Sequence, residues 1–182
     1  MEGLLIFVLV VVILVCTGAI FYAKVYNKFQ DYIIRINEVE SMIDNNLRSK
    51  YDLFNRAIPI IKGNINSDKD IFEEIVKLRS RKLGNFELYR VLVRTSNEFS
   101  QLKEEFPDIQ KSSEIKKILN QVNDIDLELD NQIDYYNENI SIYNSLLKKF
   151  PSNVVATFCK YREKLYFDRK DMNDEDYDDF KL

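Results

Sequence analysis

Apolar residues first form an unbroken run and then recur at helical spacing through the first third of the chain. From residue 29 to residue 61 they recur about every 3.56 residues, close to the α-helical repeat of about 3.6. The series consists of Phe29, Ile33, Ile36, Val39, Ile43, Leu47, Tyr51, Phe54, Ile58 and Ile61. We predict one amphipathic helix that is continuous with the apolar run and kinked near Pro59, because a proline ring clashes with the carbonyl group four residues earlier.

The longest regular pattern lies in the second half of the chain. After Ser112 and Ser113, apolar residues recur about every 3.5 residues. They are Ile115, Ile118, Val122, Ile125, Leu129, Ile133, Tyr136, Ile140, Tyr143, Leu147 and Phe150. A helix with this repeat needs apolar partners along its whole length, and the repeat favours coiled-coil-like packing at a shallow angle.

Two shorter helices are predicted between these long ones. The first begins at Ser67 as the N-cap, with Asp70 three residues later in a capping-box arrangement. Its inward residues are Ile71, Phe72, Ile75 and Leu78. The second covers about residues 86–106 and ends at Pro107. We expect the aromatic-rich stretch 154–167 to cap one end of the domain.

Glycine and proline occur in the soluble part almost only at the ends of these segments, at Gly63, Gly84, Pro107 and Pro151. The apolar positions do not alternate with period two, as they would in strands. The sequence therefore predicts an all-α protein in which an N-terminal transmembrane helix is followed by an elongated antiparallel helical bundle. We assign residues 24–167 to the bundle.

The N-terminal apolar run has the length of a transmembrane helix. Residues 3–23 contain no charged side chain, and a helix of this length spans about 31 Å, close to the thickness of the bilayer core. A cleaved signal peptide would begin with basic residues, which are missing here. We therefore predict a transmembrane helix over residues 4–23, preceded by a short extracytoplasmic N-terminus, residues 1–3.

Basic residues predict the orientation of this helix. Lys24, Lys28 and Arg35 follow the apolar run, whereas no basic side chain precedes it. Loops rich in lysine and arginine remain in the cytoplasm. We therefore expect a single-pass protein of the cell membrane, with its N-terminus outside and its domain in the cytoplasm.

The net charge of −4 is confined to residues 168–182, which hold seven acidic and three basic residues. This acidic tail has no apolar periodicity, and we expect it to be disordered. The rest of the chain is charge-balanced, and the tail repels phosphate groups. Nucleic acid is therefore not an expected partner.

The sequence lacks most of the residues that carry enzymatic chemistry. It has no histidine, four widely separated glycines and two cysteines, which excludes histidine-based catalysis and glycine-rich phosphate loops. We predict no catalytic, cofactor-binding or metal-binding residue. Six carboxylates are interpreted as solvated helix faces, namely Glu73, Glu74, Asp124, Asp126, Glu128 and Asp130. A carboxylate-based metal-dependent enzyme is the weaker alternative.

Tyrosine followed by asparagine occurs repeatedly. Tyr136-Asn137 and Tyr143-Asn144 lie one heptad apart, and therefore on the same helical face, and Tyr26-Asn27 is a third pair. Buried tyrosine and asparagine side chains need hydrogen-bond partners, so these residues could form a polar layer that fixes the register of the helices. The alternative is that Tyr136, Asn137, Tyr143 and Asn144 form an interaction face for a partner helix.

Several short motifs occur in a fixed order between residues 26 and 167. They are Ile43-Asp44 with Leu47, Tyr51-Asp52-Leu53, Lys62-Gly63, Glu105-Phe106-Pro107-Asp108-Ile109, Tyr136-Asn137, Tyr143-Asn144, Phe150-Pro151-Ser152-Asn153 and Tyr166-Phe167. On these motifs the chain resembles the LemA family of bacterial membrane proteins. The resemblance implies an N-terminal membrane anchor and a long antiparallel helical bundle, and it implies no particular reaction.

The chain departs from the family pattern at four places. Glu40 stands where tryptophan is common, Ile133 where arginine is expected and Lys160 where glycine is expected, and Pro59 comes later than the family's proline. We therefore carry over the fold from the family, and no polar site.

These observations lead to a functional hypothesis without chemistry. We expect a membrane-anchored, non-enzymatic helical scaffold or interaction module of the bacterial cell envelope, without a cofactor. Its expected partners are the lipid bilayer, through the N-terminal helix, and an unknown membrane or envelope protein. A self-associating structural membrane protein is the main alternative.

Overall fold

The computed structural model describes residues 1–64 and 84–167. In chain order these residues form helix α1 (Glu2–Asn64), helix α2 (Asn85–Glu105), a short 3₁₀ helix (Pro107–Lys111), helix α3 (Ser113–Lys148) and helix α4 (Ser152–Cys159). No strand occurs within these two described ranges. The predicted all-α class is confirmed.

The observed helices follow the predicted ones closely. The apolar run and the first amphipathic pattern form one continuous helix, α1, which passes through Pro59. Helices α2 and α3 begin and end within about two residues of their predicted ends, where prolines and serines interrupt the pattern. The helix predicted after Ser67 and the disorder predicted for residues 168–182 lie outside the described residues.

Helix α1 changes its surroundings along its length. An 18-residue window near the N-terminus is apolar enough to cross a membrane, and none of it is buried within the protein. The first buried side chain is Phe29, and from Ile36 to Ile61 buried positions recur at a spacing of three or four residues. This helix therefore combines an all-round apolar end with an amphipathic remainder.

The described chain forms two compact units. The first unit consists of Met1–Val39 and Tyr135–Tyr166. Its core surrounds Phe29, whose ring lies 5.7 Å from the ring of Tyr143 and 5.0 Å from that of Tyr161. The other buried apolar residues of this unit are Ile36, Val39, Tyr136, Ile140, Val155 and Ala156.

In its described part, the second unit consists of residues 40–64 and 84–134 and of Phe167. Within its described part, the rings of Phe54 and Phe99 lie 6.2 Å apart, and Phe167 stacks on Phe86 at 4.4 Å. Its fully buried large side chains are Phe54, Ile43, Leu47, Ile61, Leu92, Ile109, Ile115, Leu129 and Ile133. Helices α1, α2 and α3 all contribute to this core.

Both ends of helix α4 are capped by contacts within the chain. At its start, the Ser152 hydroxyl lies 2.8 Å from the carbonyl oxygens of both Leu146 and Lys149. At its end, Lys160 adopts a left-handed conformation with φ 55° and ψ 34°. This conformation lets the Tyr161 amide donate to the Ala156 carbonyl at 3.0 Å, as in a Schellman motif.

The left-handed conformation explains why a glycine would suit position 160. A residue with a Cβ atom pays about 1–2 kcal/mol in this region, because Cβ approaches the following carbonyl oxygen. We expect Lys160→Gly to raise the free energy of unfolding by about 1 kcal/mol. Glycine also increases the conformational entropy of the unfolded chain, which offsets part of the relieved strain. Thermal unfolding of the full chain in detergent, followed by circular dichroism, measures the change.

Lys160→Ala is the matched control, since it removes the ammonium group and keeps the strained Cβ atom. It should leave the unfolding temperature close to that of the parent protein. An equal gain from alanine and glycine would show that removal of the charge, and not relief of backbone strain, stabilises the helix end.

Candidate functional site

Five polar side chains of the described chain are buried: Lys50, Thr95, Asn139, Asn144 and Ser152. Burial of a polar group is costly unless it is hydrogen-bonded, so specific polar contacts are expected at these positions. Asn144 lies in the first unit among the residues predicted as an interaction face. Lys50 lies in the second unit and was not among the predicted core or site residues.

The predicted interaction residues all lie on α3, in the first unit. Tyr136, Tyr143 and Asn144 are buried, and Asn137 is half-buried. Burial raises the pKa of Tyr143, whose ring packs edge-on against Phe29. Three of the four side chains therefore face the interior of their unit.

Asn144 connects α3 to the segment that follows α4. Its side-chain amide donates to the Lys164 carbonyl oxygen at 2.8 Å, and its side-chain oxygen accepts from the Lys164 backbone N–H at 3.0 Å. Asparagine is suited to this task because it has both a donor and an acceptor. The pair satisfies both backbone groups of a residue outside any helix.

A second polar contact in the first unit joins Tyr161 to α1. The Gln30 side-chain amide donates to the Tyr161 hydroxyl at 2.7 Å. Burial raises the pKa of Tyr161. The segment after α4 is thus tied to α3 through Asn144 and to α1 through Gln30. These contacts of Asn144, Gln30 and Tyr161 are all within the chain, and a role of the Tyr-Asn face towards a partner stays a prediction.

The second unit contains a buried lysine. Lys50 is only 3% exposed, and its ammonium group lies 2.5 Å from a carboxylate oxygen of Asp126. The ammonium also lies 5.8 Å from the centre of the Phe54 ring. The Asp126 side chain remains 42% exposed. The pair is therefore asymmetric, because the cation depends on the anion while the anion retains contact with water.

An amide contact lies one turn away from this ion pair. The Asn46 side-chain amide donates to Glu128 and to Gln132, both at 3.1 Å. Because the later α1 residue, Lys50, contacts the earlier α3 residue, Asp126, the two helices run antiparallel in this unit. Asp126 and Glu128 are thus more than solvated carboxylates, since each binds a named group on the facing helix.

Sequence reasoning missed Lys50 because its charge removed it from the apolar series. The spacing did contain a signal. Ile43, Leu47, Lys50, Phe54 and Ala57 are separated by alternating steps of four and three residues, so Lys50 occupies a core position. The predicted series contains Tyr51 in place of Lys50, and Tyr51 is only half-buried.

A shallow surface depression of about 400 Å³ lies beside this ion pair, on the second unit. Helix α1 lines one side of it and α3 the other. The lining residues are Ser49, Asp52, Leu53, Arg56, Gln121, Asp124 and Ile125. Among the described residues, no three histidine, cysteine or carboxylate side chains are placed to hold a metal ion. The lining of the depression thus includes charged and amide side chains.

The asymmetry of the Lys50 pair predicts unequal costs of removing its members. Asp126→Ala leaves an ammonium group buried without its anion, and we expect it to lower the free energy of unfolding by about 1–3 kcal/mol. Lys50→Met keeps the apolar stem and leaves only a hydrated carboxylate, so its cost should stay below about 1 kcal/mol. Chemical denaturation of both variants gives the two values.

Asp124→Ala is the control for this comparison, because Asp124 is an exposed carboxylate on the same helix. It should change stability by less than about 0.5 kcal/mol. If Lys50→Met proved more damaging than Asp126→Ala, the buried ammonium would not depend on Asp126.

The Asn144 contacts predict a local effect on the segment after α4. Asn144→Ala leaves the Lys164 N–H and carbonyl without their partners, and we expect a loss of about 1–3 kcal/mol. Hydrogen exchange of the Lys164 amide should accelerate in this variant. Ser141→Ala, at an exposed position one turn earlier on α3, should leave this exchange rate unchanged. Unchanged exchange in Asn144→Ala would show that other contacts hold the segment.

Comparison with known proteins identifies the family. The sequence model of the LemA family matches residues 39–178. This match covers more than half of the chain and includes all the motifs on which the resemblance rested. No curated protein matches the chain. Given the candidate membrane span at the start of α1, the chain is a membrane-associated protein that belongs to the LemA family.

Proposed function

We propose that this protein is a membrane-anchored, non-enzymatic interaction module of the bacterial cell envelope, whose helical surface binds another membrane or envelope protein. One observation carries the proposal. A single helix, α1, begins as an exposed apolar span and then supplies core residues to both compact units. Through such a helix, a partner bound to either unit is linked to the bilayer without a flexible linker.

The contacts of the polar side chains support an interaction role over a catalytic one. Lys50 and Asp126 bind each other, and Asn144 binds the backbone of Lys164. Side chains with these chemistries often act in catalysis when they converge on a substrate cleft. Here they connect one element of the chain to another, which favours a structural purpose for them.

The depression on the second unit is where we expect a protein partner to bind. It combines Arg56 with the carboxylates Asp52 and Asp124, so it presents both signs of charge within a small area. Paired charges of this kind at a rim favour a specific orientation of a charged partner more than they add affinity.

Photocrosslinking in living cells tests this proposal. A photoreactive residue replaces Gln121 or Asp124 at the depression, and Ser141 on the exposed surface of the first unit serves as the comparison position. We expect one foreign protein to be captured from the depression positions and not from position 141. Mass spectrometry identifies the adduct.

Other results would favour the alternatives. Capture of the protein's own copies from the depression would contradict recruitment and support a self-associating structural membrane protein. A metal ion that remains bound after chelation, together with no foreign adduct, would support the carboxylate-based enzyme instead.

We also propose that the N-terminus faces outward and the helical domain lies in the cytoplasm. Lys24, Lys28 and Arg35, which follow the predicted span and are all exposed, support this orientation. The test uses Asp124→Cys in a background in which Cys16 and Cys159 are replaced by alanine. An impermeant thiol reagent should label position 124 only after the cells are permeabilised.

Gly3→Cys in the same background is the control for the opposite side. It should be labelled in intact cells, because the predicted N-terminus is extracytoplasmic. Labelling of position 124 in intact cells, with position 3 protected, would reverse the proposed orientation.

A further inference from the structure

Helix α4 exposes an unusual amount of apolar surface. Val154 and Phe158 are four residues apart, and therefore on one face of the helix, with exposed fractions of 46% and 78%. Phe150, just before the helix, is 81% exposed. The opposite side of α4 carries Val155 and Ala156, which are buried in the first unit. We call Phe150, Val154 and Phe158 the α4 face.

The end of α4 lies beside the point where the membrane span ends. The Cys159 thiol lies 3.4 Å from the hydroxyl of Tyr22, and the predicted span covers residues 4–23. The ring of Tyr22 stacks on that of Tyr26 at 6.2 Å, and both rings are exposed. Tyrosines with an apolar body and a polar tip are typical of the boundary between the bilayer core and water.

Helix α3 also runs towards the end of the membrane span. Tyr143 packs against Phe29 of α1, and the five residues after Tyr143 bring α3 to its end at Lys148, next to the start of α4. Tyr135 lies in the other direction, about 12 Å from Tyr143 along the helix axis. Within the first unit, the α4 face therefore lies close to the end of the span.

The chain around the α4 face is strongly basic. Residues 148–166 contain one acid, Glu163, and five bases: Lys148, Lys149, Lys160, Arg162 and Lys164. Glu163 binds Lys148 at 2.6 Å, which leaves the excess positive charge on the other four. Anionic phospholipid headgroups are the complementary surface that lies nearest to a segment in contact with a membrane span.

From these observations we propose that helix α4 and its basic flanks form a second contact with the bilayer, separate from the transmembrane helix. The α4 face sits at the boundary between headgroups and acyl chains, and the surrounding lysine and arginine side chains bind anionic phospholipid phosphates. Short amphipathic segments with aromatic residues on one side and basic residues beside them bind membranes in this way.

A bilayer is a better occupant for this surface than a protein. The contact of Cys159 with Tyr22 places the end of α4, next to Phe158 of the α4 face, against the part of α1 that enters the membrane. A lipid surface is present wherever the span is inserted, so this contact requires no further association step. The second contact would restrain the tilt of the first unit, which a single spanning helix leaves to its flanking anchors.

The absence of tryptophan from the chain makes a direct test simple. The full-length protein is placed in nanodiscs, and single tryptophans are introduced as Phe150→Trp, Phe158→Trp and Tyr135→Trp. Tyr135 is 44% exposed in the same unit and serves as the matched control. Lipids brominated near the top of the acyl chain quench only tryptophans that touch the bilayer.

We expect brominated lipid to reduce the fluorescence of tryptophan at positions 150 and 158 about twofold or more and to leave position 135 unchanged. Quenching should be stronger with phosphatidylglycerol than with phosphatidylcholine alone, and 0.5 M salt, about three times the physiological ionic strength, should weaken the difference. Circular dichroism confirms that each variant retains its helices.

Equal behaviour of all three positions towards brominated lipid would overturn the proposal. The same conclusion would follow if tryptophan at positions 150 and 158 were shielded from aqueous acrylamide without being quenched by lipid, because a protein would then cover the α4 face. Quenching that did not depend on headgroup charge would overturn the role of the basic side chains.

Discussion

Helix α1 has to satisfy two different surroundings with one unbroken backbone. A helix is suited to this because all its backbone hydrogen bonds are internal, in lipid as well as in a protein core. Only the side chains need to change, from apolar all round in residues 4–15 to one apolar stripe that begins at Phe29. The other elements of each unit cover that stripe, so the position of Phe29 determines where the protein core can begin.

The buried polar contacts give the helix pairs a defined alignment that apolar packing leaves loose. In the second unit, a shift of α3 by one turn would separate Asp126 from Lys50 and leave an ammonium group buried without its anion. In the first unit, the same kind of shift would separate Asn144 from the backbone of Lys164. Regular 3.5-residue patterns permit several registers, and unpaired polar groups make the incorrect ones unfavourable.

Sequence spacing was sufficient for the fold and insufficient for these contacts. The ends of α2 and α3 could be predicted because Pro107, Ser112 and Pro151 interrupt long periodic patterns. Lys50 was missed because a charge at a core position becomes acceptable only when the facing helix supplies Asp126, which lies 76 residues away. The pairing of Asn144 with Lys164 likewise depends on α4 ending at the left-handed Lys160, where the family pattern has glycine.

The stretch 154–167 shows most clearly why a hydrophobic pattern does not specify its own surroundings. Aromatic residues led us to expect a cap over one end of the domain, and part of the stretch does pack inward, through Val155, Ala156 and Tyr161. Phe158 and Leu165 remain exposed to a degree that water alone does not favour. Burial inside a domain and burial in a bilayer select the same side chains. The position of the stretch in the fold therefore matters, and the contact of Cys159 with Tyr22 places the end of α4 beside the predicted end of the span.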